Sequence, residues 1–166
     1  MIQKKICLMG AYAVGKTSLV ARFVHSLFSE KYHTTLGVKI DKKIVATALG
    51  EVKLMIWDLA GEDEFIGADI EYMRGAAGYI LVADGTRAAS LERAVALRER
   101  ICEKIGPVPF LLLINKADLE PAWEVKPAQL EELSRAGWRI LRTSAKTGQG
   151  VEAAFRSLAA SLLSSP

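Results

Sequence analysis

The most informative stretch of this chain is Gly10-Ala11-Tyr12-Ala13-Val14-Gly15-Lys16-Thr17. It has the pattern G-x-x-x-x-G-K-[ST], in which a glycine-containing loop runs directly into a lysine and a hydroxyl residue. The apolar run from Ile6 to Met9 precedes it and predicts a short buried strand, whereas residues 16–27 place apolar side chains at helical spacing. A loop of this pattern between a strand and a helix is typical of phosphate-binding sites.

The residue types in this loop suit an anionic ligand. Gly10 and Gly15 allow the backbone to curl around an anion with its amide hydrogens pointing inward. The helix that begins near Gly15 adds the positive end of its dipole, and Lys16 supplies a cation for β- and γ-phosphates. The Thr17 hydroxyl is placed to bind Mg²⁺. The other predicted nucleotide contacts of this segment are Ala13, Val14 and Ser18.

Outward from this loop, apolar strand-like runs alternate with amphipathic stretches. We count six strands and about five helices, which predict an α/β fold whose mostly parallel sheet is covered by helices on both faces. Segments 38–49 and 52–57, joined by a tight turn at Gly50-Glu51, predict one antiparallel edge strand. No repeat or linker interrupts the pattern, so residues 1–166 are predicted to form a single domain. In such a sheet, ligands bind at the carboxyl ends of the strands.

Composition and charge exclude several classes of protein. Hydrophobic residues make up 51% and charged residues 25% of the 166 residues, which excludes a disordered chain. The net charge is +3, without a dense Lys/Arg cluster, so no nucleic acid polymer is expected as a partner. Cys7 and Cys102 lie in apolar segments, and no signal peptide, membrane-length apolar run or lipid-attachment motif is visible. These features predict a cytoplasmic protein with free thiols and no lipid anchor in this chain.

A second motif follows the strand-like run 110–114 and reads Asn115-Lys116-Ala117-Asp118. The Asp118 carboxylate can accept hydrogen bonds from the ring N–H and the exocyclic amine of guanine, and adenine offers neither donor there. The Lys116 side chain can lay its aliphatic stem against the base, and Asn115 can connect this segment to the phosphate loop. The motif therefore favours guanine over adenine, and it argues against an ATPase or kinase.

A third segment, Thr143-Ser144-Ala145-Lys146, follows the short strand-like pair Ile140-Leu141. Ser144 belongs to the predicted base-binding contacts. The backbone amide of Ala145 can donate a hydrogen bond to the guanine oxygen, and Lys146 can cover the other face of the base. This pattern is common, so its position after a strand is what favours a role in binding.

Taken together, the order of these motifs resembles the Ras superfamily of small GTPases, and most nearly its Rab-like branch. The Rab-like features are Thr35-Leu36-Gly37-Val38, Ile56-Trp57-Asp58 and Tyr72-Met73-Arg74-Gly75-Ala76-Ala77-Gly78. The resemblance covers essentially the whole chain. It implies the P-loop GTPase fold, a cycle between GTP and GDP with Mg²⁺, and effector, exchange and activating proteins as partners. It also implies that Phe28 sits edge-on against the guanine.

The resemblance further implies two loops that sense the γ-phosphate, at about residues 29–37 and 59–74. In the first, Thr35 would give its hydroxyl to Mg²⁺ and its amide to the γ-phosphate, with Thr34 as the alternative if the alignment slips by one residue. In the second, Asp58 would hold the metal or its bound water, and the Gly61 amide would meet the γ-phosphate. Metal contacts are thus predicted for Thr17, Thr35 and Asp58.

Two departures from the family pattern concern hydrolysis, for which the predicted residues are Lys16, Thr35, Gly61 and Glu62. Glu62 replaces the usual glutamine that orients the attacking water. Tyr12 replaces a frequent glycine, and its side chain either obstructs an arginine from an activating protein or points to solvent. Slow hydrolysis is expected. The alternative is a nucleotide-holding adaptor with little turnover. Arg74 is interpreted as a structural residue rather than as a catalytic arginine.

Overall fold

The computed structural model describes residues 1–26, 38–59 and 70–164. Within these ranges the six predicted strands are present: β1 Gln3–Gly10, β2 Val38–Thr47, β3 Gly50–Leu59, β4 Gly78–Asp84, β5 Phe110–Asn115 and β6 Ile140–Arg142. Four α-helices connect or follow them: α1 Lys16–His25, α2 Ala88–Ile105, α3 Pro127–Arg135 and α4 Val151–Ser164. Two 3₁₀-helices lie at Glu71–Met73 and Ala117–Ala122.

The strands form one sheet in the order β2-β3-β1-β4-β5-β6. The pairs β1–β3, β1–β4, β4–β5 and β5–β6 are parallel, and only β2 runs antiparallel to its neighbour β3. The predicted mostly parallel sheet with one antiparallel edge strand is therefore confirmed. Its central strands are buried on both faces, which is why they appear in the sequence as continuous apolar runs.

Helices cover both faces of the sheet. On one face, α1 and α4 pack together, with the rings of Phe23 and Phe155 stacked at a centroid distance of 4.1 Å. On the other face, α2 packs through Leu91, Leu97 and Ile101. Burying each of these large apolar side chains contributes about 1.5–3 kcal/mol, so the two layers rather than helix propensity hold the helices in place.

Some predicted element boundaries were wrong. The hairpin turn is not at Gly50-Glu51, because Thr47 pairs with Gly50 and Ala46 pairs with Glu51 inside the β2–β3 ladder. The two loop residues are Ala48 and Leu49. Gly50, which the sequence pattern placed inside the turn, is instead the first residue of β3. Its φ of +120° allows the sharp change of chain direction that follows the loop.

No helix in the described ranges is both long enough and apolar enough to cross a membrane.

Candidate nucleotide-binding site

The phosphate loop follows β1 at the carboxyl end of the sheet. The register aligns Gly10 of β1 with Val82 of β4, and Asp84 of β4 with Asn115 of β5. The ends of three parallel strands therefore carry the phosphate loop, the loop after β4 and the predicted base-binding loop. The motifs that are separated by about a hundred positions in the sequence meet at one edge of the fold, as the rule for parallel sheets predicts.

Gly10 and Gly15 serve two different structural purposes. Gly15 has φ +100° immediately before α1, and a Cβ there would lie 2.3 Å from the side-chain amide nitrogen of Asn115. Gly10 is still extended strand, and a Cβ there would lie 2.4 Å from the carbonyl oxygen of Val82. Only Gly15 provides the predicted curl of the backbone, whereas Gly10 allows close packing of β1 on β4.

The rest of the loop presents backbone and one cation to the site. Ala13 adopts a left-handed backbone conformation with φ +63°, which is uncommon for a residue other than glycine. Val14 is fully buried beneath the loop, and Lys16 is 5% exposed. Lys16 lies at the first position of α1. The backbone amides of the helix N-terminus and the ammonium group of Lys16 can therefore bind the same anion. Ser18, the other predicted contact, is half-buried in the first turn.

Thr17 and Asp58 lie together on the phosphate side of the site. The Thr17 hydroxyl donates to Oδ2 of Asp58 at 2.6 Å, although the two residues are 41 positions apart. Asp58 is fully buried near the end of β3. A hydroxyl and a carboxylate are hard oxygen donors of the kind that Mg²⁺ takes in nucleotide sites, so this donor set fits the predicted metal.

Asn115 joins the base side to the phosphate side. Its amide Nδ2 donates to the carbonyl oxygen of Val14 at 2.9 Å, and its Oδ1 accepts from the hydroxyl of Thr143 at 3.2 Å. The connection to the phosphate loop was predicted from the sequence, and the geometry agrees. The contact with Thr143, which is fully buried, was not predicted from the motif.

The two base-binding segments contact each other directly. The Ser144 hydroxyl donates to Oδ1 of Asp118 at 2.8 Å and accepts from the backbone N–H of Thr147 at 3.1 Å. Ala145 is buried, and Lys146 is exposed. Asp118 itself is exposed, and one of its two carboxylate oxygens takes the hydrogen bond from Ser144. The structure brings these predicted residues together.

A short loop after β4 belongs to the site although no motif indicated it. Fully buried Asp84 lies 2.7 Å from the ammonium group of Lys116, measured from its Oδ2. Three residues later, the Arg87 guanidinium donates to the carbonyl oxygen of Tyr12 at 2.8 Å. The signal that could have found this loop is a carboxylate at the end of a buried strand, which needs a cationic partner when it is taken from water.

The segment that ends the second predicted loop is attached to the sheet. Lys5 donates to the carbonyl oxygen of Arg74 at 2.8 Å and lies 3.8 Å from the centroid of the Trp57 ring. The Lys104 ammonium beside Glu71, at 2.7 Å, lowers the pKa of that carboxyl group. The Arg74 guanidinium pairs with Glu71 at 3.5 Å, and both side chains are exposed. The Tyr12 side chain is 43% exposed.

Four predicted site residues lie outside the described ranges: Phe28, Thr35, Gly61 and Glu62. Their predicted roles remain predictions.

A phosphate loop and a base-binding loop at the carboxyl end of a six-stranded sheet define a P-loop nucleotide-binding protein. Comparison with known proteins narrows this class. The model of the family described as "Ras family" matches residues 5–164, so the chain belongs to the Ras family, and its sheet and helices are those of the P-loop GTPase fold. Members of this family are small GTPases that bind guanine nucleotides and act through regulators and effectors.

The chain is also similar to several Rab proteins. It is 38% identical over 161 residues to the Ras-related protein Rab-13 of Bos taurus, covering 96% of this chain and 79% of that protein. It is 32% identical to Rab-32 of Homo sapiens, covering 96% and 74% of the two chains, and 34% identical to Rab-7L1 of Rattus norvegicus, covering 93% and 79%. The Rab-like resemblance is therefore confirmed.

Proposed function

We propose that this small GTPase is a molecular switch in which two loops, at about residues 29–37 and 59–74, respond to the γ-phosphate and control partner binding. The observation that carries the proposal is the pairing of Val38 with Leu59 at one end of the β2–β3 hairpin. Val38 is the first described residue after 27–37, and Leu59 is the last before 60–69. Both predicted loops are thus attached at the same end of one hairpin.

The nucleotide can act on this point through the phosphate loop. The next pair along the hairpin is Lys39 with Asp58, and Asp58 accepts the hydrogen bond from Thr17. A phosphate group held at Lys16 and Thr17 is therefore separated from the point where both loops join the hairpin by one side-chain contact, that of Thr17 with Asp58. Support for the switch comes from this short path, because each loop can gain or lose contacts at the same site.

Thr17 and Asp58, together with Thr35 from the first loop, would hold Mg²⁺. The ion would supply positive charge next to the β- and γ-phosphates. Thr17 orients the Asp58 carboxylate, since its hydroxyl donates to one carboxylate oxygen. Lys16, buried at the start of α1, adds a fixed positive charge. Changing partner occupancy from mostly off to mostly on requires about 5 kcal/mol of differential binding, which the loss of several charged contacts can provide.

Slow hydrolysis is the second part of the proposal, and it rests on the sequence. At position 62 a glutamate replaces the glutamine that orients water in relatives. A carboxylate accepts a hydrogen bond from water but does not donate one to the transition state, and it brings negative charge toward the γ-phosphate. The Tyr12 side chain would obstruct the approach of an arginine from an activating protein to the γ-phosphate.

A single-turnover experiment tests the proposal. The purified protein is loaded with GTP and Mg²⁺, and the conversion of GTP to GDP is followed for the wild type and for Glu62→Gln. We expect slow conversion by the wild type and faster conversion by the variant, because glutamine restores a donor to the water-positioning residue. Glu64→Gln, which removes a charge two positions away, serves as the matched control and is expected to leave the rate unchanged.

The outcomes separate the two candidate functions. Slow conversion by the wild type supports a timed switch. Undetectable conversion in all three proteins, with GTP still bound, supports the nucleotide-holding adaptor instead. Loading with ATP in parallel checks the role of Asp118: retention of ATP as well as of GTP would contradict the proposed guanine specificity.

A further inference from the structure

Lys116 is the residue of the base-binding loop with the least ordinary backbone. Its backbone is left-handed, with φ +71°, a conformation that residues other than glycine, asparagine and aspartate rarely adopt. It also carries one of the longest and most flexible side chains, so that a fixed position costs rotamer entropy. A lysine with this backbone and a defined side-chain position therefore needs contacts that hold it there.

One end of Lys116 is held by Asp84. The ammonium nitrogen lies 2.7 Å from Oδ2 of this fully buried carboxylate, and the Lys116 side chain itself is 35% exposed. The other carboxylate oxygen, Oδ1, accepts two hydrogen bonds from Thr86, one from its backbone N–H at 2.8 Å and one from its hydroxyl at 2.7 Å. The carboxylate is thus oriented toward the lysine by the loop that follows β4.

The backbone end of Lys116 is held by Trp123. The indole N–H donates to the carbonyl oxygen of Lys116 at 2.8 Å. The indole ring packs directly on Gly85, where an added Cβ would lie 2.1 Å from a ring atom. Gly85 directly follows Asp84. Trp123 therefore contacts Lys116 and also packs against the residue next to Asp84.

We propose that Asp84 and Trp123 are positioning residues of the guanine-nucleotide site, which hold Lys116 at its two ends and so prearrange its aliphatic stem for contact with the base. This inference rests on the proposed guanine-nucleotide binding and on the contact of Lys116 with the base that the sequence predicts. The ammonium group is directed into the protein, toward Asp84, which leaves the methylene stem rather than the charge to contact the base. The entropy of ordering this side chain is then lost on folding rather than on nucleotide binding.

The proposal predicts faster nucleotide release when either contact is removed. Asp84→Asn retains the size of the side chain but loses its charge, and we expect GDP to dissociate about tenfold faster. Trp123→Phe retains a ring over Gly85 but loses the N–H donor, and we expect an increase of about threefold. Trp138→Phe is the matched control, since Trp138 packs edge-on against Phe110, whereas the hydrogen bond to Lys116 comes from Trp123.

The test measures dissociation of a fluorescent GDP analogue from the full chain after mixing with excess GDP. A double variant, Asp84→Asn with Lys116→Ala, distinguishes positioning from a general effect on the fold. If Asp84 acts through Lys116, the double variant releases GDP no faster than Lys116→Ala alone. Circular dichroism of each variant verifies that it is folded, and Trp123→Phe provides the test if Asp84→Asn does not fold.

The outcomes separate this inference from the proposed function. A wild-type chain that does not retain GDP would overturn both. The positioning role alone would be overturned if the wild-type chain retains GDP and Asp84→Asn accelerates release by the same factor in the wild type and in the Lys116→Ala background. Release rates for Trp123→Phe and Asp84→Asn that match those of the wild type and of Trp138→Phe would overturn it as well.

Discussion

The phosphate side and the base side of the site are built by different means. On the phosphate side, the described loop depends on backbone conformation, with φ +63° at Ala13 and +100° at Gly15, and on one buried lysine. On the base side, the loops depend on contacts between side chains, such as Ser144 with Asp118 and Lys116 with Asp84. Asn115 connects the two sides through its bond to the phosphate loop.

This difference fits what each side is proposed to recognise. A phosphate group has the same oxygens in every nucleotide, so backbone amides at fixed positions are sufficient to bind it. A base must be distinguished from other bases, and this requires side chains with donors and acceptors at defined positions. The comparison predicts that backbone changes damage the phosphate side most, whereas single side-chain deletions weaken the base side in smaller steps.

The largest effect is expected from Gly15→Ala. The new Cβ would collide with the Asn115 amide and would require a strained positive φ, so the free energy of unfolding should fall by about 2–4 kcal/mol and GDP binding should be lost. Urea unfolding and GDP titration measure the two effects. Gly137→Ala is the control, because φ there is +96° but no atom lies within 4 Å of the added Cβ. It should cost about 1 kcal/mol; equal losses in the two variants would contradict the proposed contact.

An intermediate effect is expected from Ser144→Ala on the base side. Without the hydroxyl, Asp118 loses the donor that orients one of its oxygens, and the dissociation constant for GDP should rise about tenfold. Calorimetric titration with GDP provides the measurement. Ser134→Ala, at an exposed position on α3, should leave the constant unchanged. A tenfold increase in the control, or none at Ser144, would show that side-chain contacts do not organise the base side.

The smallest effect concerns Cys7, which is fully buried in the strand that leads to the phosphate loop. Burial raises the pKa of its thiol from 9.0 to about 12. Above the lower value the unfolded thiol ionises while the folded one stays protonated, so the stability of the folded state falls as the pH rises. Between about pH 8 and about pH 10, wild type should lose roughly 1 kcal/mol more than Cys7→Ala in urea unfolding. An identical pH dependence would show that this strand is accessible to water.

Much of the fold was predictable because its signals are local. Continuous apolar runs indicated the parallel strands, and the phosphate loop carried its ligand chemistry in consecutive residues. The hairpin turn was misplaced because a glycine at a strand end and a glycine in a turn look alike in sequence. What distinguishes the two cases is the pairing of Gly50 with Thr47 on the neighbouring strand, which a local sequence pattern does not show.

By itself, the sequence determined the fold class and the family, and it predicted most of the residues of the candidate site, since each motif is short and its chemistry follows from residue type and order. Only the tertiary structure brought Asp84 and Trp123 to the two ends of Lys116, and Arg87 to the carbonyl of Tyr12. These contacts join loops that follow different strands. Their residues have no characteristic spacing, because it is the parallel register of the sheet that places the strand ends side by side.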